Sequence, residues 1–265
     1  MYRFILPLVA ALLSPFAVSA APGLSVVTVN MAKETSTSRV VGEWTRSPHI
    51  RTADILLLQE VQENPGTECV ATGLGRALGL HVAYMPEAAG VKDRGLAILS
   101  RFPLRDVQCQ RLKRFDLRFH SRDRFALSAL ADTPYGPLRI EDVHLDTRLN
   151  AADRLAQLEP AAQRPGASEK RIVAGDFNSN PFYWLGHVLP LPAWQSQAVA
   201  VEAFMRGRGF RSAIPESATT FDYLGMHLDW IWMAGLRSAA SEVIPLDFSD
   251  HHAVWARLEA FPPAR

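Results

Sequence analysis

Asp176 and Asn178 stand two residues apart in the run IVAGDFN at 172–178. On an extended chain that spacing sends a carboxylate and a carboxamide to the same side. The apolar Ile172 and Val173 can be buried, Gly175 lets the backbone turn, and the polar pair emerges at the strand's end. One reading is a reaction site. The other is an Asx turn in which both side chains cap their own backbone. Several other apolar runs end in the same way, which favours the first. VVTVN at 26–30 ends in Asn30, ILLLQEV at 55–61 carries Glu60, and IEDVHLD at 140–146 carries His144. The C-terminal part supplies Asp229 in HLDWIW and the run Ser249, Asp250, His251, His252.

The types of these residues limit their chemistry. Glu60 follows four apolar residues and Gln59, and an isolated charge at the end of a buried strand is prohibitively costly. It must be paired with an arginine, be protonated, or bind a cation. Oxygen donors from Glu60, Asn30 and Asp250, with no thiolate among them, suit a hard cation such as Mg²⁺ or Mn²⁺. Asp229 and His251 suggest a carboxylate that orients one imidazole nitrogen and leaves the other to meet a charged oxygen. Ser249 beside Asp250 has no Gly-x-Ser-x-Gly context, so a serine hydrolase is set aside. His252 would point to the opposite face of a strand from His251, in a structural role.

The elements that must carry these residues can be read from periodicity. Strands are expected at 24–30, 55–61, 81–85, 96–100, 115–119, 124–131, 138–145, 170–175, 227–233 and 252–258. Helices are expected at 36–46, stopped by Pro48, and at 67–78. Others are expected at 182–189 and 194–206, and at 150–163 with Asn150 as N-cap. The run DTPYGP at 132–137 marks a hairpin turn, and residues 86–94 and 215–222 read as loops. With no repeat, linker or low-complexity run, residues 21–265 form one expected domain, a layered α/β sandwich.

Arg3, the apolar run 4–18 and the small-x-small end Val18, Ser19, Ala20 make residues 1–20 an expected signal peptide, the run being short for a membrane span. The mature protein is then expected to be periplasmic or secreted, without a transmembrane span, and monomeric. In an oxidising compartment Cys69 and Cys109 could be bridged or remain separate thiols. The chain has 28 Lys and Arg against 27 Asp and Glu, a balance that speaks against bulk electrostatic capture of nucleic acid. The Arg-rich stretch 101–124 is the local exception, read either as a solvated hairpin face or as a phosphate-binding surface.

Six motifs in order, LQEV at 58–61, GLAILSRFPL at 95–104, VHLD at 143–146, GDFN at 175–178, LDWIW at 228–232 and SDHHAV at 249–254, resemble those of the endonuclease/exonuclease/phosphatase superfamily over nearly the whole mature chain. The resemblance implies the deoxyribonuclease-I-like fold, a four-layer α/β/β/α sandwich. It also implies that Glu60 is the principal Mg²⁺ ligand with Asn30 and Asp250 close by. Asp176 would position or deprotonate the attacking water, Asn178 would hold the phosphate, and His251 oriented by Asp229 would stabilise the developing charge. His144 would meet a phosphate oxygen or the leaving group. Val29 and Leu96 depart from the family pattern, where Trp and Asn are common, and put substrate placement in question. The expected activity is Mg²⁺-dependent hydrolysis of a phosphodiester by water. A nuclease comes first, a phospholipid or inositol-phosphate hydrolase of the sphingomyelinase type second, and a catalytically silent module that binds through residues 101–124 or Phe182, Tyr183 and Trp184 third.

Overall fold

The computed structural model of the protein describes residues 23–62, 68–86, 95–117, 123–215 and 217–261. The expected signal peptide, most of the loop at 86–94, and residues 118–122 of the Arg-rich stretch lie outside them. In chain order the elements are β1 (Leu24–Asn30), α1 (Thr37–Trp44), α2 (Pro48–Arg51), β2 (Ile55–Val61), α3 (Val70–Leu78), β3 (His81–Met85), β4 (Gly95–Ser100), β5 (Leu104–Arg111), β6 (Phe125–Thr133) and β7 (Gly136–His144). They continue with α4 (Ala151–Leu158), β8 (Lys170–Asp176), β9 (Phe182–Leu185), β10 (Leu189–Pro192), α5 (Gln197–Gly207), β11 (Arg211–Ser212), β12 (Asp229–Ala234), β13 (Leu236–Ile244) and β14 (Ala253–Ala260).

Two six-stranded sheets form, ordered β13-β14-β1-β2-β4-β3 and β11-β12-β8-β7-β6-β5. In each, the middle pair is parallel, β1 with β2 and β7 with β8, and the flanking pairs are antiparallel. The period-2 alternation of each central strand decides the layers. Val26, Ile55, Leu57 and Ile98 face Ile140, Ile172 and Ile231 between the sheets. The opposite parity of the first sheet, Val27, Leu56 and Leu58, packs on Val40, Trp44, Val70 and Leu74 of α1 and α3. Val143, Val173, Trp230 and Trp232 pack on Leu158, Val201 and Met205 of α4 and α5. The result is the expected α/β/β/α sandwich.

Local chemistry sets the helix ends. Ser36 caps α1 by accepting from Arg39 N. Pro48, expected only to stop that helix, occupies the first turn of α2, where its missing N–H costs nothing. The helix expected through residue 163 ends at Leu158, two residues before Pro160, and α5 starts at Gln197 behind its cap Ser196 rather than at Trp194.

Two expectations fail and two strands go unsignalled, for identifiable reasons. No strand runs through Phe115, Asp116 and Leu117; β6 pairs instead with β5. Nearly every residue of that edge strand is exposed, so it carries no apolar alternation to read. Strand β13, also mostly exposed, goes unsignalled for the same reason. The helix expected at 182–189 is the hairpin β9–β10, because Gly186 and His187 both take positive φ and turn the chain. Cys69 is buried at the start of α3 and Cys109 is exposed on β5, and both are free thiols. Val29 and Leu96, the two departures from the family pattern, are both buried in apolar clusters.

Beneath the site the inter-sheet layer turns polar. Gln59 of the first sheet donates through Nε2 to Thr28 Oγ1 (3.0 Å) and across to Asp142 Oδ1 of the second sheet (2.6 Å). All three side chains are fully buried. Burial pushes the Asp142 carboxyl well above the usual carboxylate range, against the opposing hydrogen bond from Gln59. Among the described residues, Asp142 Oδ2 and Gln59 Oε1 have no hydrogen-bond partner.

Candidate active site

The polar strand ends converge because strand register forces them to. His144 on β7 and Asp229 on β12 both lie directly opposite Asp176 on β8. Each shares its parity with inward-facing residues of its own strand, so the three side chains stand in one row facing the first sheet. Gly175 makes this possible. Its φ is +131°, and a Cβ there would lie 2.0 Å from Val143 O, so no other residue fits before Asp176.

Glu60 reaches the same place by another route. Parity with Leu56 and Leu58 would send it toward the helices. A bulge between Leu58 and Val61 and a φ of +52° at Glu60 itself turn its side chain into the cleft. A non-glycine residue in this backbone region is strained by about 1–3 kcal/mol. Strain of that kind persists where the surrounding structure fixes it, and here it delivers a carboxylate beside Asn30.

The cleft has a volume of about 280 Å³ and is lined by Asn30, Glu60, His144, Asp176, Asn178, Asp250 and His251. Asp229 lies behind His251 and is fully buried. All eight residues singled out from the sequence therefore meet at one site. Asp176 is its hub. Oδ1 accepts from Asn178 N (2.8 Å), and Oδ2 accepts from Asn30 Nδ2 and Asn178 Nδ2 (3.1 Å each). His144 Nε2 and His251 Nε2 lie 3.5 and 3.9 Å from Oδ2. Burial raises the Asp176 carboxyl above its ordinary value and the Asp229 charge adds to this, while the nearby His251 charge opposes it. A carboxyl poised in this way is suited to accepting a proton from water.

His251 Nδ1 donates to Asp229 Oδ2 at 2.8 Å. Burial alone would lower the imidazole's pKa, but the charges of Asp229 and Asp176 override it and hold the ring protonated well above its ordinary range. Its Nε2–H then faces the cleft as a fixed cationic donor. Phe221 leans on the ring, centroid to centroid 4.8 Å. His252, as expected, points away and meets Asp222 at 2.9 Å.

Two supports had no sequence signal. The Thr220 hydroxyl accepts from Leu228 N and Asp229 N (2.9 and 3.0 Å) and donates to Asp229 Oδ2 at 2.8 Å, locking that carboxylate. Arg124, read from sequence as part of a solvated or phosphate-binding stretch, is 4% exposed. It donates to Asp146 Oδ1 (2.9 Å) and to His144 Nδ1 (3.2 Å). A guanidinium has only donors, so His144 Nδ1 accepts and its ring proton sits on Nε2, toward the cleft. Asn178 differs from expectation. Its two amide hydrogens go to Leu145 O (2.9 Å) and Asp176 Oδ2, so in this state it clamps Asp176 rather than offering a donor to an anion.

The donor set fits a hard divalent cation. Glu60 and Asp250 offer carboxylate oxygens at the cleft, and among the described residues Asn30 Oδ1 accepts only from Ala32 N. Asp176, Asp229 and His251 also place ligand atoms within 4.8 Å of one another, but the His251 and Asp229 atoms already bond each other. The remaining wall is apolar. Phe182 and Trp184 stand on one side, with Phe221, Met226 and Leu228 on the other.

The model of the Endonuclease/Exonuclease/phosphatase family matches residues 27–251. The chain belongs to this family. Its members are metal-dependent phosphoesterases, and so is this protein. Solved structures agree on the fold. An endonuclease/exonuclease/phosphatase from Beutenbergia cavernae superposes with a TM-score of 0.71 at 17% identity, over 91% of this chain and 72% of that one. The human Nocturnin catalytic domain with bound sulfate gives 0.63 at 18%, over 91% and 96%. The 3′ phosphatase NExo from Neisseria, bound to product DNA hairpin, gives 0.61 at 18%, over 89% and 99%. No curated protein sequence matches significantly.

Proposed function

We propose that the protein is an exported, Mg²⁺-dependent hydrolase that cleaves a phosphodiester by attack of water. The observation that carries this is the convergence of Asp176, His251 and Glu60 on one cleft: a buried carboxyl with a raised pKa, a protonated imidazole held by Asp229, and a strained carboxylate turned inward. In this reading Asp176 accepts the proton of the attacking water. The Nε2–H of His251 donates to a non-bridging phosphate oxygen as charge builds on it, and His144 Nε2–H does the same for a second oxygen or the leaving group. Asn30 and Asn178 keep Asp176 aimed. Mg²⁺ held by Glu60 and Asn30, with Asp250 close by, would polarise the phosphoryl group and neutralise its charge.

Export rests on the leader pattern at residues 1–20, and the mass of the protein recovered from the cell envelope or medium tests it. The substrate class divides into two. A nucleic acid is supported by the kinship with NExo, whose structure holds a DNA hairpin. The Arg-rich stretch gives it little help, because Arg101, Arg105, Arg111 and Arg124 are each paired with a carboxylate of this chain. A phospholipid is supported by the apolar walls of the cleft. A substrate panel of DNA, RNA, bis-para-nitrophenyl phosphate, sphingomyelin and phosphoinositides, run with Mg²⁺ and with chelator, tests the proposal. Hydrolysis that disappears with chelator is expected, and inertness toward every member would overturn it. Calorimetric titration adds a readout independent of turnover: Glu60→Gln should weaken Mg²⁺ binding at least tenfold.

A further inference from the structure

Eight of the ten exposed large hydrophobic residues among those described fall in two short segments, so they form a surface rather than a scatter. One is the hairpin β9–β10 and its exit, where Tyr183 is 50% exposed, Leu185 52%, Leu189 53% and Trp194 105%. The other is the tight turn at Tyr223–Gly225, where Tyr223 and Leu224 are each 63% exposed. Both segments border the cleft mouth. Alternation on β9 turns Phe182 and Trp184 into the cleft and leaves Tyr183 and Leu185 outside, while Phe221 and Met226, bridged to each other, line the opposite wall beneath the turn.

The hairpin belongs to neither large sheet and, among the described residues, has no third strand. Its position is nonetheless fixed, because Asn150 at the head of α4 bonds the main chain of Trp184 through both Oδ1 (2.7 Å) and Nδ2 (3.1 Å). At the other segment Leu224 is held at φ +58°, a backbone region that disfavours a large apolar residue and would suit Gly or Asn at an exposed tip. The three exposed rings alone present on the order of 400 Å². The leucines take the surface past the roughly 300–600 Å² that a soluble monomer ordinarily exposes.

We propose that this rim is a membrane-docking surface and that the phosphodiester delivered to the cleft belongs to a phospholipid in a bilayer; this rests on the phosphoesterase reading of the cleft. The chemistry of the rim selects the occupant. Residues 181–195 contain no Asp, Glu, Lys or Arg, and His187 is their one side chain that ionises near neutral pH. A nucleic acid binds chiefly through cations on its backbone, and unpaired bases stack on aromatic rings but not on leucine or proline. A second copy of this chain would cap the mouth of its own active site. A phospholipid bilayer is apolar within and carries phosphodiesters at its surface, so inserting the rim brings the scissile group to Asp176 and His251. Tyr and Trp are the side chains suited to such a boundary, with an apolar body and a polar tip.

The test compares the full chain with its Leu189→Ser/Trp194→Ala variant. Both residues lie outside the cleft, and both proteins carry the same N-terminal run, so their difference reads the hairpin. Co-sedimentation with phosphatidylcholine–sphingomyelin vesicles should fall at least tenfold in the variant, and hydrolysis of the vesicle lipids with it. Turnover of soluble bis-para-nitrophenyl phosphate should stay within twofold. Tryptophan emission should shift to the blue with vesicles in the wild type and less so in the variant. Equal partitioning of the two proteins would overturn the proposal. So would a wild-type dimer that the variant dissociates without loss of lipid turnover, or a single-stranded oligonucleotide whose binding the variant loses. A wild type that binds vesicles but cleaves neither lipid nor soluble diester would instead bring down the phosphoesterase reading and leave the docking surface standing.

Discussion

Replacing Gln59 by Leu should destabilise the protein by about 3 kcal/mol, and replacing Asp142 by Leu as well should recover most of that loss. A polar contact ties the two sheets in the layer between them. Gln59 Nε2 makes two bonds in a layer that excludes water, to Thr28 at 3.0 Å and to Asp142 at 2.6 Å. The single substitution leaves both acceptors buried without that donor, and a buried polar group stranded in this way costs about 1–3 kcal/mol. Asp142→Leu alone strands the Gln59 amide at a similar cost. The double variant removes both groups together, so the cycle should show a coupling of at least about 2 kcal/mol. Urea unfolding followed by circular dichroism at pH 7 reads the free energies, and an unchanged slope against urea certifies the comparison. The pH dependence carries a sign. Burial raises the Asp142 carboxyl, so the folded state favours its neutral form. The contribution is full below the unfolded value near 4 and declines as pH rises toward the folded value. Asp142→Asn should abolish that slope. Single-variant losses that add to the double within about 0.5 kcal/mol would refute the tie.

Glu141, buried beside Arg171, has its carboxyl raised from 4.5 to about 7, chiefly by burial. At about 1.4 kcal/mol per pH unit, ionising it costs the fold roughly 3 kcal/mol above pH 7, so Glu141→Gln should resist urea better than wild type at pH 8 and lose that advantage toward pH 5. Thr220→Val should lower diester turnover about tenfold by freeing the Asp229 carboxylate that steers His251, and Thr220→Ser should restore it, since the hydroxyl and not the methyl group makes the bond. Arg124→Met should destabilise by about 3–5 kcal/mol, the usual consequence of leaving one partner of a buried ion pair alone; here that partner is Asp146, and a loss below about 1 kcal/mol would mean the pair is dispensable.

Much of this site was legible because its residues sit at the ends of buried strands. Asn30, His144 and Asp176 each close an apolar strand and Asp229 opens one, and an acid, amide or imidazole in that position needs a partner, which marks it. Glu60 was legible as a costly carboxylate, but its direction was not. Strict alternation sends it to the helices, and only the bulge at Leu58–Val61 returns it. Thr220 lay among small polar loop residues, where one hydroxyl looks like the next until Leu228 and Asp229 are folded against it. Arg124 lay among arginines and was read with them. In the fold, the exposed strands β5 and β13 carried too little apolar periodicity to register. The aromatic run Phe182, Tyr183 and Trp184 was conspicuous, but its helix-like context hid a hairpin whose turn depends on His187 adopting a positive φ.

The proposed hydrolysis requires Asp176 to act on water within reach of His251 and Glu60. Turnover of bis-para-nitrophenyl phosphate by Asp176→Asn, with Mg²⁺ saturating and folding verified by circular dichroism, tests it most directly. An amide keeps the shape and cannot take the proton, so turnover should fall by about 10²–10⁴ in variant protein that is still folded. Turnover within twofold of wild type would contradict the account.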